Sequence, residues 1–340
     1  MSAPLVSVKM ITYNHAPYIA QAIEGVLRQR TDFPFELVIG EDCSTDGTRD
    51  IVFDYQKRHP DVIRVVTSER NVGMKQNSYR TGRACRGKYI AFCEGDDYWH
   101  HPLKLQKQVY HIDSHPECGL VFSDYDVYDA ASQRTIYCYN RHIRPNMPRS
   151  PGLVDIVSGR GGILAGLLTC TIMVRRELVV QVIEADAYLH KEAHFLMGDT
   201  QLWAEVSCLK QINYLDESLV THNLLVESAS RSRDICRRLR FSVSGSEMLL
   251  YLCDKYDLPK QIRAVHERNW RADALRLAFH ERDAKLAGEV RDRGGPLRFR
   301  EWLKYLGARN AALHCLVKPL VGLRLRYLVT HDDFWFRDLH

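Results

Sequence analysis

The chain has 340 residues, of which 45% are hydrophobic and 26% are charged, as in an ordinary globular protein with a full core. Its ten cysteines stand singly between Cys43 and Cys315, without a C-x-x-C pair, and no secretory leader follows Met1. This argues against a disulfide framework and predicts reduced thiols in a cytoplasmic protein. No apolar run approaches the roughly 18 residues of a membrane span, which argues against a transmembrane protein.

The net charge of +5 is unevenly distributed along the chain. Residues 231–340 contain 23 Lys and Arg against 14 Asp and Glu, whereas residues 1–230 are net acidic. The two parts are therefore expected to meet different surroundings, with a domain boundary near residue 230.

Apolar runs alternate with amphipathic stretches through the first part of the chain. This alternation predicts an α/β domain with a mostly parallel central sheet and helices on both faces. The loops after the strands should share one edge, where such sheets bind ligands. Residues 134–162 have an irregular pattern typical of a mobile loop, and the chain beyond residue 230 is predicted to be helical. The predicted strands are 6–12, 35–40, 62–66, 88–93, 119–123, 167–174, 212–215 and 219–222, and the predicted helices are 18–28, 48–59, 76–85, 103–114 and 200–209.

The strongest chemical signal is the acidic segment Cys93-Glu-Gly-Asp-Asp-Tyr-Trp99 at the end of the fourth predicted strand. Its three carboxylates lie within four residues and repel one another unless a cation or strong donors neutralise them. A set of oxygen ligands suits Mg²⁺ or Mn²⁺ better than Zn²⁺. A solvated acidic turn is the alternative, but a position on the ligand-binding edge of the sheet favours a metal site.

A second acidic loop, Glu41-Asp-Cys-Ser-Thr-Asp46, ends the second predicted strand on the same edge. One of its last three residues is expected to cap the following helix. Asp42 is not needed for capping and can accept a hydrogen bond from a ligand such as a pyrimidine base. Tyr13, just after the first strand, offers a ring on which a base could stack.

Four segments, in order and spacing, resemble the family-2 glycosyltransferases, which are nucleotide-sugar enzymes with the GT-A fold. The likeness covers about residues 5–125, weakens towards residue 230 and is absent beyond it. It implies a GT-A domain over residues 1–230, with a donor half at 1–125 and an acceptor half at 126–230, and a basic helical appendage at 231–340. The matching segments are Val6–Asn14, Phe35–Thr48, Asn71–Asn77 and Gly87–Trp99, continued by Leu103–Gln108.

The resemblance also implies which residues bind a nucleotide-diphospho-sugar donor and a divalent cation, Mg²⁺ or Mn²⁺. Glu94 stands where the family's D-x-D motif has its first Asp. Glutamate keeps the charge but has a longer side chain, so a water-bridged or sugar-binding role for Glu94 is open. A solvated lysine is the alternative for Lys75. The implied residues are Tyr13 and Asp42 for the base, Asn71, Lys75 and Asn77 along the donor, Asp96 for the metal that bridges the diphosphate, and Asp97 and Glu94 beside it.

The family places an acidic general base at the start of a later helix, and Asp199 in His194-Phe-Leu-Met-Gly-Asp-Thr-Gln-Leu-Trp203 fits that position. Asp199 would take the proton of the acceptor hydroxyl, with inversion at the sugar carbon; helix capping is the alternative role. Many relatives carry Tyr-Arg-x-His near the diphosphate, but this chain reads Val220-Thr-His-Asn-Leu-Leu225. His222, or the basic segment 231–233, is the candidate replacement.

These features predict an inverting glycosyltransferase of surface polysaccharide or glycoconjugate synthesis, with UDP as the default nucleotide and a saccharide or lipid-linked acceptor. A nucleotidyltransferase would need a Gly-rich loop after the first strand, and Thr12-Tyr-Asn-His-Ala-Pro17 has no glycine. A catalytically impaired sugar-nucleotide-binding protein stays open because the Arg and His are missing. The basic C-terminal region is either a packed appendage, a peripheral membrane contact or a homodimer contact; no motif supports nucleic acid binding.

Overall fold

A computed structural model describes residues 3–158, 166–190, 194–225, 232 and 234–319. These residues divide into two compact units, one built from residues 1–194 and 198–225 and the other from 195–197 and 226–340. The first unit carries the sheet, and the described residues of the second are mostly helical.

The sheet unit follows the predicted alternation of strands and helices through its first hundred residues. The first predicted strand has the bounds expected for it, Val6–Thr12, and the neighbouring elements differ by one to three residues at their ends. The strands are β1 Val6–Thr12, β2 Phe35–Glu41, β3 Ile63–Val66, β4 Tyr89–Phe92, β5 Tyr98–Trp99, β6 Cys118–Asp129, β7 Arg134–Ile136, β8 Met173–Arg175 and β9 Gln211–Leu224. The helices are α1 Ile19–Leu27, α2 Thr48–Arg58, α3 Met74–Ala84, α4 Lys104–Ser114, α5 Tyr139–Ile143, α6 Leu153–Ser158, α7 Arg176–Ala185, α8 Ala187–His190 and α9 Gly198–Leu209.

The nine strands form one sheet in the order β3-β2-β1-β4-β8-β6-β9-β5, with β7 paired to β6. Strands β3, β2, β1 and β4 are mutually parallel, which brings their carboxyl ends to one edge. Strand β8 runs antiparallel to β4 and β6, and β9 runs parallel to β6. Strands β2 and β4 bury apolar side chains on both faces, as expected for strands covered on both sides, whereas β1 buries Val6, Val8 and Met10 on one face and Ser7 on the other.

Close packing joins the loops that follow β1 and β4. A Cβ atom on Gly95 would lie 2.7 Å from Oγ1 of Thr12 and 3.0 Å from Nδ1 of His15, so any other residue here would force these side chains to shift. Glycine at this position therefore lets the acidic segment after β4 approach the end of β1.

Three segments differ from the sequence prediction. The strand expected at 167–174 is a 3₁₀ turn, Thr169–Thr171, followed by the short β8. The strands expected at 212–215 and 219–222 are one continuous strand, β9. The irregular stretch 134–162 contains β7, α5 and α6 up to residue 158, and residues 159–165 lie outside the described part.

The helical unit packs its own core, and the sequence prediction of helices beyond residue 230 agrees with its described part. Asp234 and Asp283 cap the first and third of the long helices by accepting backbone N–H groups of the next turn. The core contains the buried ring of Trp270 with Leu239, Leu275 and Val290 around it. The helices are α10 Ile235–Lys255, α11 Lys260–Glu281, α12 Ala284–Arg293 and α13 Phe299–Arg309, followed by a helix over residues 311–319.

Candidate functional site

The acidic loop of residues 93–97 leaves β4 at the carboxyl edge of the parallel strands and is held by β9. Oδ1 of Asp97 accepts hydrogen bonds from Nδ1 of His222 and from the backbone N–H of Asn223, both at 2.9 Å. Nδ2 of Asn223 donates to the carbonyl oxygen of Asp96 at 2.6 Å. Two consecutive residues of β9 therefore fix the position of a loop about 125 residues earlier in the chain.

The carboxyl groups of the loop perturb one another strongly. Burial and the charges of Asp97 and Asp96 raise the pKa of Glu94 to about 8. Burial and the charge of Asp97 also raise the pKa of Asp96, while the nearby imidazoles of His15 and His222 oppose that rise. Burial alone would raise the pKa of Asp97, but the charge and hydrogen bond of His222 outweigh it and lower this pKa.

These carboxylates fit a divalent cation. Oε2 of Glu94 is buried and has no hydrogen-bond partner among the described residues, although a buried carboxylate oxygen is costly without one. A bound Mg²⁺ or Mn²⁺ would offset both the burial and the repulsion that raise the pKa of Glu94. The oxygen donors for such an ion are Glu94, Asp96 and Asp97.

Asp199 lies in the first turn of α9 and faces the same loop. Its side chain is exposed, and its charge contributes to the raised pKa of Glu94, so the two carboxyl groups lie close together. Oδ2 of Asp199 is 3.2 Å from Oγ1 of Thr169, which can donate to it. Sγ of the next residue, Cys170, lies within 4.8 Å of a carboxylate oxygen of Asp97. The 3₁₀ turn thus links Asp199 to the acidic loop.

The ends of β1 and β2 form a second part of the site. Tyr13 is 44% exposed at the end of β1, so its ring is available to a planar ligand. The following residue, Asn14, has a positive φ of 56° and accepts a hydrogen bond from the backbone N–H of Thr45. Its own N–H donates to Oγ of Ser44, which ties the two loops together.

Asp42 is buried, and both of its carboxylate oxygens already accept backbone hydrogen bonds. Oδ1 accepts from the N–H of Val72 and Oδ2 from the N–H of Gly73, both at 2.9 Å. The expectation that Asp42 stands unused beside a ligand therefore differs from the structure, where this side chain anchors the 71–73 loop. Oδ1 is also 3.4 Å from the guanidinium of Arg80, so Oδ2 is the oxygen that keeps a lone pair for a base N–H.

The segment 71–77 lies against the end of β2. The amide of Asn71 donates to the carbonyl oxygen of Asp42, and that of Asn77 donates to the carbonyl oxygen of Gly40 at 2.7 Å. Asn77 is buried, so it supports the strand end, whereas Lys75 is half-buried at the start of α3. Burial lowers the pKa of the Lys75 ammonium group.

Sequence reasoning missed several residues that shape the site. Arg80 donates to the carbonyl oxygen of Glu41 at 2.9 Å and forms an ion pair with Asp42 at 3.4 Å. The sequence signal that could have indicated this role is the position of Arg80 seven residues after Gly73, about two helical turns into α3. Thr169, Cys170 and Asn223 carry no motif, because they reach the site only through the folding of distant segments. His222, the candidate replacement for the missing Arg and His, contacts Asp97.

Residues 7–177 match the glycosyl transferase family 2, so the chain belongs to that family, as the resemblance implied. The first curated relatives are up to 45% identical, but the chain spans only 34–48% of their length. One of them, the putative teichuronic acid biosynthesis glycosyltransferase TuaG of Bacillus subtilis, is 37% identical over 124 residues, 36% of this chain and 48% of its own.

Two solved structures share the fold at low sequence identity. S. aureus TarS in complex with UDP-GlcNAc has a TM-score of 0.55 at 18% identity, over 89% of this chain and 79% of its own. The mannosyltransferase PcManGT from Pyrobaculum calidifontis, in complex with GDP-Man and Mn²⁺, has a TM-score of 0.52 at 15% identity, over 93% and 87%. The predicted α/β fold of GT-A type is confirmed, and the family match agrees with the resemblance.

Proposed function

We propose that this chain is an inverting, metal-dependent glycosyltransferase that moves a sugar from a nucleotide diphosphate to an acceptor hydroxyl. The observation that carries the proposal is the convergence of Asp199 with Glu94, Asp96 and Asp97. These carboxyl groups come from segments about a hundred residues apart, yet they share one electrostatic field and are linked through the turn at Thr169. A base and a cation site side by side are what such a transfer needs.

Asp199 is the proposed base, and its exposed carboxylate would take the proton of the attacking hydroxyl. Thr169 donates to Oδ2 of Asp199 and the backbone N–H of Thr200 donates to Oδ1 at 2.8 Å, so the carboxylate is oriented while each oxygen keeps a lone pair for the acceptor proton. Asp96 and Asp97, with Glu94 beside them, would hold the divalent cation. That cation supplies positive charge against the diphosphate leaving group. Attack on the side of the sugar opposite the diphosphate gives inversion.

The donor half has a binding surface for the nucleotide. Tyr13 would stack on the base, and Asp42 would accept the ring N–H on a lone pair that the 71–73 loop leaves unused. Lys75, Asn71 and Asn77 remain the proposed donor-side residues of α3 and the loop before it. UDP is the proposed nucleotide, which the UDP-GlcNAc bound to TarS supports; the GDP-Man of PcManGT makes guanosine the second choice.

The acceptor is proposed to be a saccharide or a lipid-linked saccharide in the synthesis of a surface polysaccharide or glycoconjugate. The name of TuaG, which refers to teichuronic acid, supports this class. Such acceptors are assembled at membranes, which makes the helical unit relevant to the reaction.

The decisive experiment screens nucleotide sugars with the full chain and Mn²⁺ and follows release of the nucleoside diphosphate. Wild-type protein is expected to release it, and Asp199→Asn to lose turnover while calorimetry still detects UDP binding. Asp54→Asn changes an exposed carboxylate of α2 and serves as the matched control. Nucleotide binding without release would point to an impaired binding protein, and release of pyrophosphate to a nucleotidyltransferase. Full activity of Asp199→Asn would remove it from the mechanism.

We propose residues 1–230 as the catalytic domain and residues 231–340 as a basic helical region that brings the enzyme to the cytoplasmic face of an anionic membrane. No helix in the described part is long and apolar enough to cross a bilayer. On α13, Phe299, Trp302 and Leu306 follow i, i+3 and i+7 spacing and are 77%, 42% and 39% exposed. Exposed arginines at 298, 300 and 309 flank this apolar stripe, an arrangement suited to anionic headgroups.

Vesicle co-sedimentation of the full chain tests the membrane contact. The double variant Phe299→Ser/Trp302→Ser should lose binding to phosphatidylglycerol vesicles, whereas Tyr110→Ser, an exposed aromatic of α4, should keep it. Equal binding by both variants would refute the proposed contact. If the stripe instead joins two copies of the chain, sedimentation equilibrium will find a dimer that the double variant loses.

A further inference from the structure

We propose that Asp97, Cys170 and His222 form a site for a transition metal ion that accepts a thiolate ligand, such as Zn²⁺. One ligand atom of each side chain, a carboxylate oxygen, Sγ and an imidazole nitrogen, lies within 4.8 Å of the other two. The three residues come from the acidic loop, the 3₁₀ turn and β9. The sequence predicted an oxygen-only ligand set, and the fold adds sulfur and nitrogen to it.

The three ligands are held in place before any ion binds. Asp97 is fixed by the backbone N–H of Asn223 and by Nδ1 of His222, and Sγ of Cys170 lies within 4.8 Å of the carboxylate. The carbonyl oxygen of Cys170 accepts a hydrogen bond from Nε1 of Trp99 at 3.2 Å, which anchors the turn. A supported set of ligands loses little conformational freedom when it binds an ion.

The distances suit tetrahedral coordination after a small adjustment. Ligand bonds of about 2.3 Å to sulfur and about 2.0–2.2 Å to nitrogen and oxygen place tetrahedral ligand atoms roughly 3.3–3.6 Å apart. No separation within the cluster exceeds 4.8 Å, so each pair of ligand atoms has to close by at most about 1.5 Å. On binding, Cys170 and Nδ1 of His222 each release a proton to solvent, and the neutral imidazole keeps its other proton on Nε2.

Burial leaves one coordination position accessible. Cys170 is 1% exposed and Asp97 is 5% exposed, whereas the side chain of His222 is 24% exposed. The ion would therefore be reached from the side of the histidine, where water or a ligand can occupy the fourth position. A thiolate in the set favours Zn²⁺, Co²⁺ or Cd²⁺ over Mg²⁺ and Mn²⁺, which prefer oxygen.

The site has a regulatory consequence that rests on the proposed function. Asp97 would be a ligand in both arrangements, so Zn²⁺ bound through Cys170 competes with the cation that supports transfer. Zn²⁺ is then expected to inhibit the Mn²⁺-supported reaction in the wild-type chain. The Cys170→Ser variant should be inhibited only at much higher Zn²⁺ concentrations.

Co²⁺ titration of the full chain tests the site independently of turnover. Wild-type protein should show a near-ultraviolet sulfur-to-cobalt absorption band that saturates at one equivalent and is bleached by Zn²⁺. Cys170→Ser should lose the band and bind Zn²⁺ at least about 100-fold more weakly, since even outer partners of metal ligands are worth 10- to 100-fold. Cys93→Ser, which alters another buried thiol next to Glu94, is the matched control and should keep the band.

The absence of the band in the wild-type chain, or an unchanged band in Cys170→Ser, would overturn the proposal. X-ray absorption of the Zn²⁺-loaded wild type needs no variant: a sulfur neighbour at about 2.3 Å supports the site, and a shell of only nitrogen and oxygen refutes it. A cobalt band without sugar transfer leaves the site standing and refutes the proposed function. Sugar transfer without a cobalt band supports the proposed function and refutes the metal site.

Discussion

Replacing Glu94 with Gln removes a carboxyl group that the fold keeps protonated far above its ordinary range. The pKa of this group rises from 4.5 to about 8, first through burial and then through the charges of Asp97 and Asp96. An unfolded glutamate loses its proton near pH 4.5, whereas the folded protein keeps that proton until about pH 8. The folded state therefore binds more protons within this window, and Glu94 makes stability fall as the pH rises through it.

The size of the effect follows from the shift. Each pH unit inside the window costs at most about 1.4 kcal/mol, and the slope flattens near pH 8. Between pH 6 and pH 8 the wild-type chain should lose about 2 kcal/mol relative to Glu94→Gln, as an upper bound because the residue is partly exposed. Gln fills nearly the same volume and does not titrate.

A second group in the same region titrates with the opposite sign. Lys104 is fully buried, its ammonium group donates to Gln108, and burial lowers its pKa to about 7. An unfolded lysine keeps its proton to higher pH, so Lys104 makes stability rise above pH 7. The raw pH slope of the wild type therefore mixes two effects, and only the difference between wild type and variant isolates Glu94.

Urea unfolding with a metal chelator, at pH 6, 7 and 8, measures this difference. The stability of Glu94→Gln relative to wild type should increase with pH, while Glu289→Gln, at an exposed position of α12, should follow the wild type. Mn²⁺ should stabilise the wild type more at pH 8 than at pH 6, because cation binding requires the ionised carboxylate. Parallel pH dependences of wild type and Glu94→Gln would refute the reasoning.

Three further changes probe other parts of the site. Asp199→Asn should lower turnover roughly 100- to 10,000-fold with little change in UDP affinity, measured by kinetics and calorimetry; a loss of affinity instead would make it a donor ligand. Gly95→Ala should cost about 1–3 kcal/mol in urea unfolding, because its Cβ meets a hydroxyl of β1, whereas Gly295→Ala, with open space around it, should be nearly neutral. Asp42→Asn should cost about 1–3 kcal/mol and weaken UDP binding, because an amide cannot accept both N–H groups of the 71–73 loop; unchanged stability would contradict this anchor.

The sequence predicted the parallel half of the sheet well because its signals are local. An apolar run followed by turn residues and an amphipathic stretch describes β1, β2 and β4 with their helices, and neighbours in the sheet follow closely in the chain. The segment 134–158 lacks such signals. Helix α5 begins where the carboxylate of Asp124, sixteen residues earlier, accepts the backbone N–H groups of Asn140 and Arg141. A cap supplied by a distant strand has no local pattern.

The continuity of β9 has a similar cause. Asp216, Glu217 and Ser218 interrupt its apolar pattern, which predicted two strands. The partner strand β6 shifts its register between Ser123 and Tyr125, opposite this interruption, so pairing continues while the alternation of side chains changes phase. The bulge also determines which residues of β9 face the acidic loop, and it therefore decides the position of His222.

In the candidate site too, the residues marked by local sequence signals were predicted and those brought in from distant segments were not. The motifs placed Asp96, Asp97 and Asp42 on the correct edge because each follows a predicted strand directly. Their partners could not be predicted, since the hydrogen bond from His222 to Asp97 joins residues 125 positions apart. The structure also shows that Asp42 binds the backbone of its own protein through both oxygens. If Asp42 also binds the sugar-nucleotide donor, one carboxylate must position the 71–73 loop and bind the base at the same time. Any variant at this position should therefore change both the ordering of the loop and the affinity for the nucleotide.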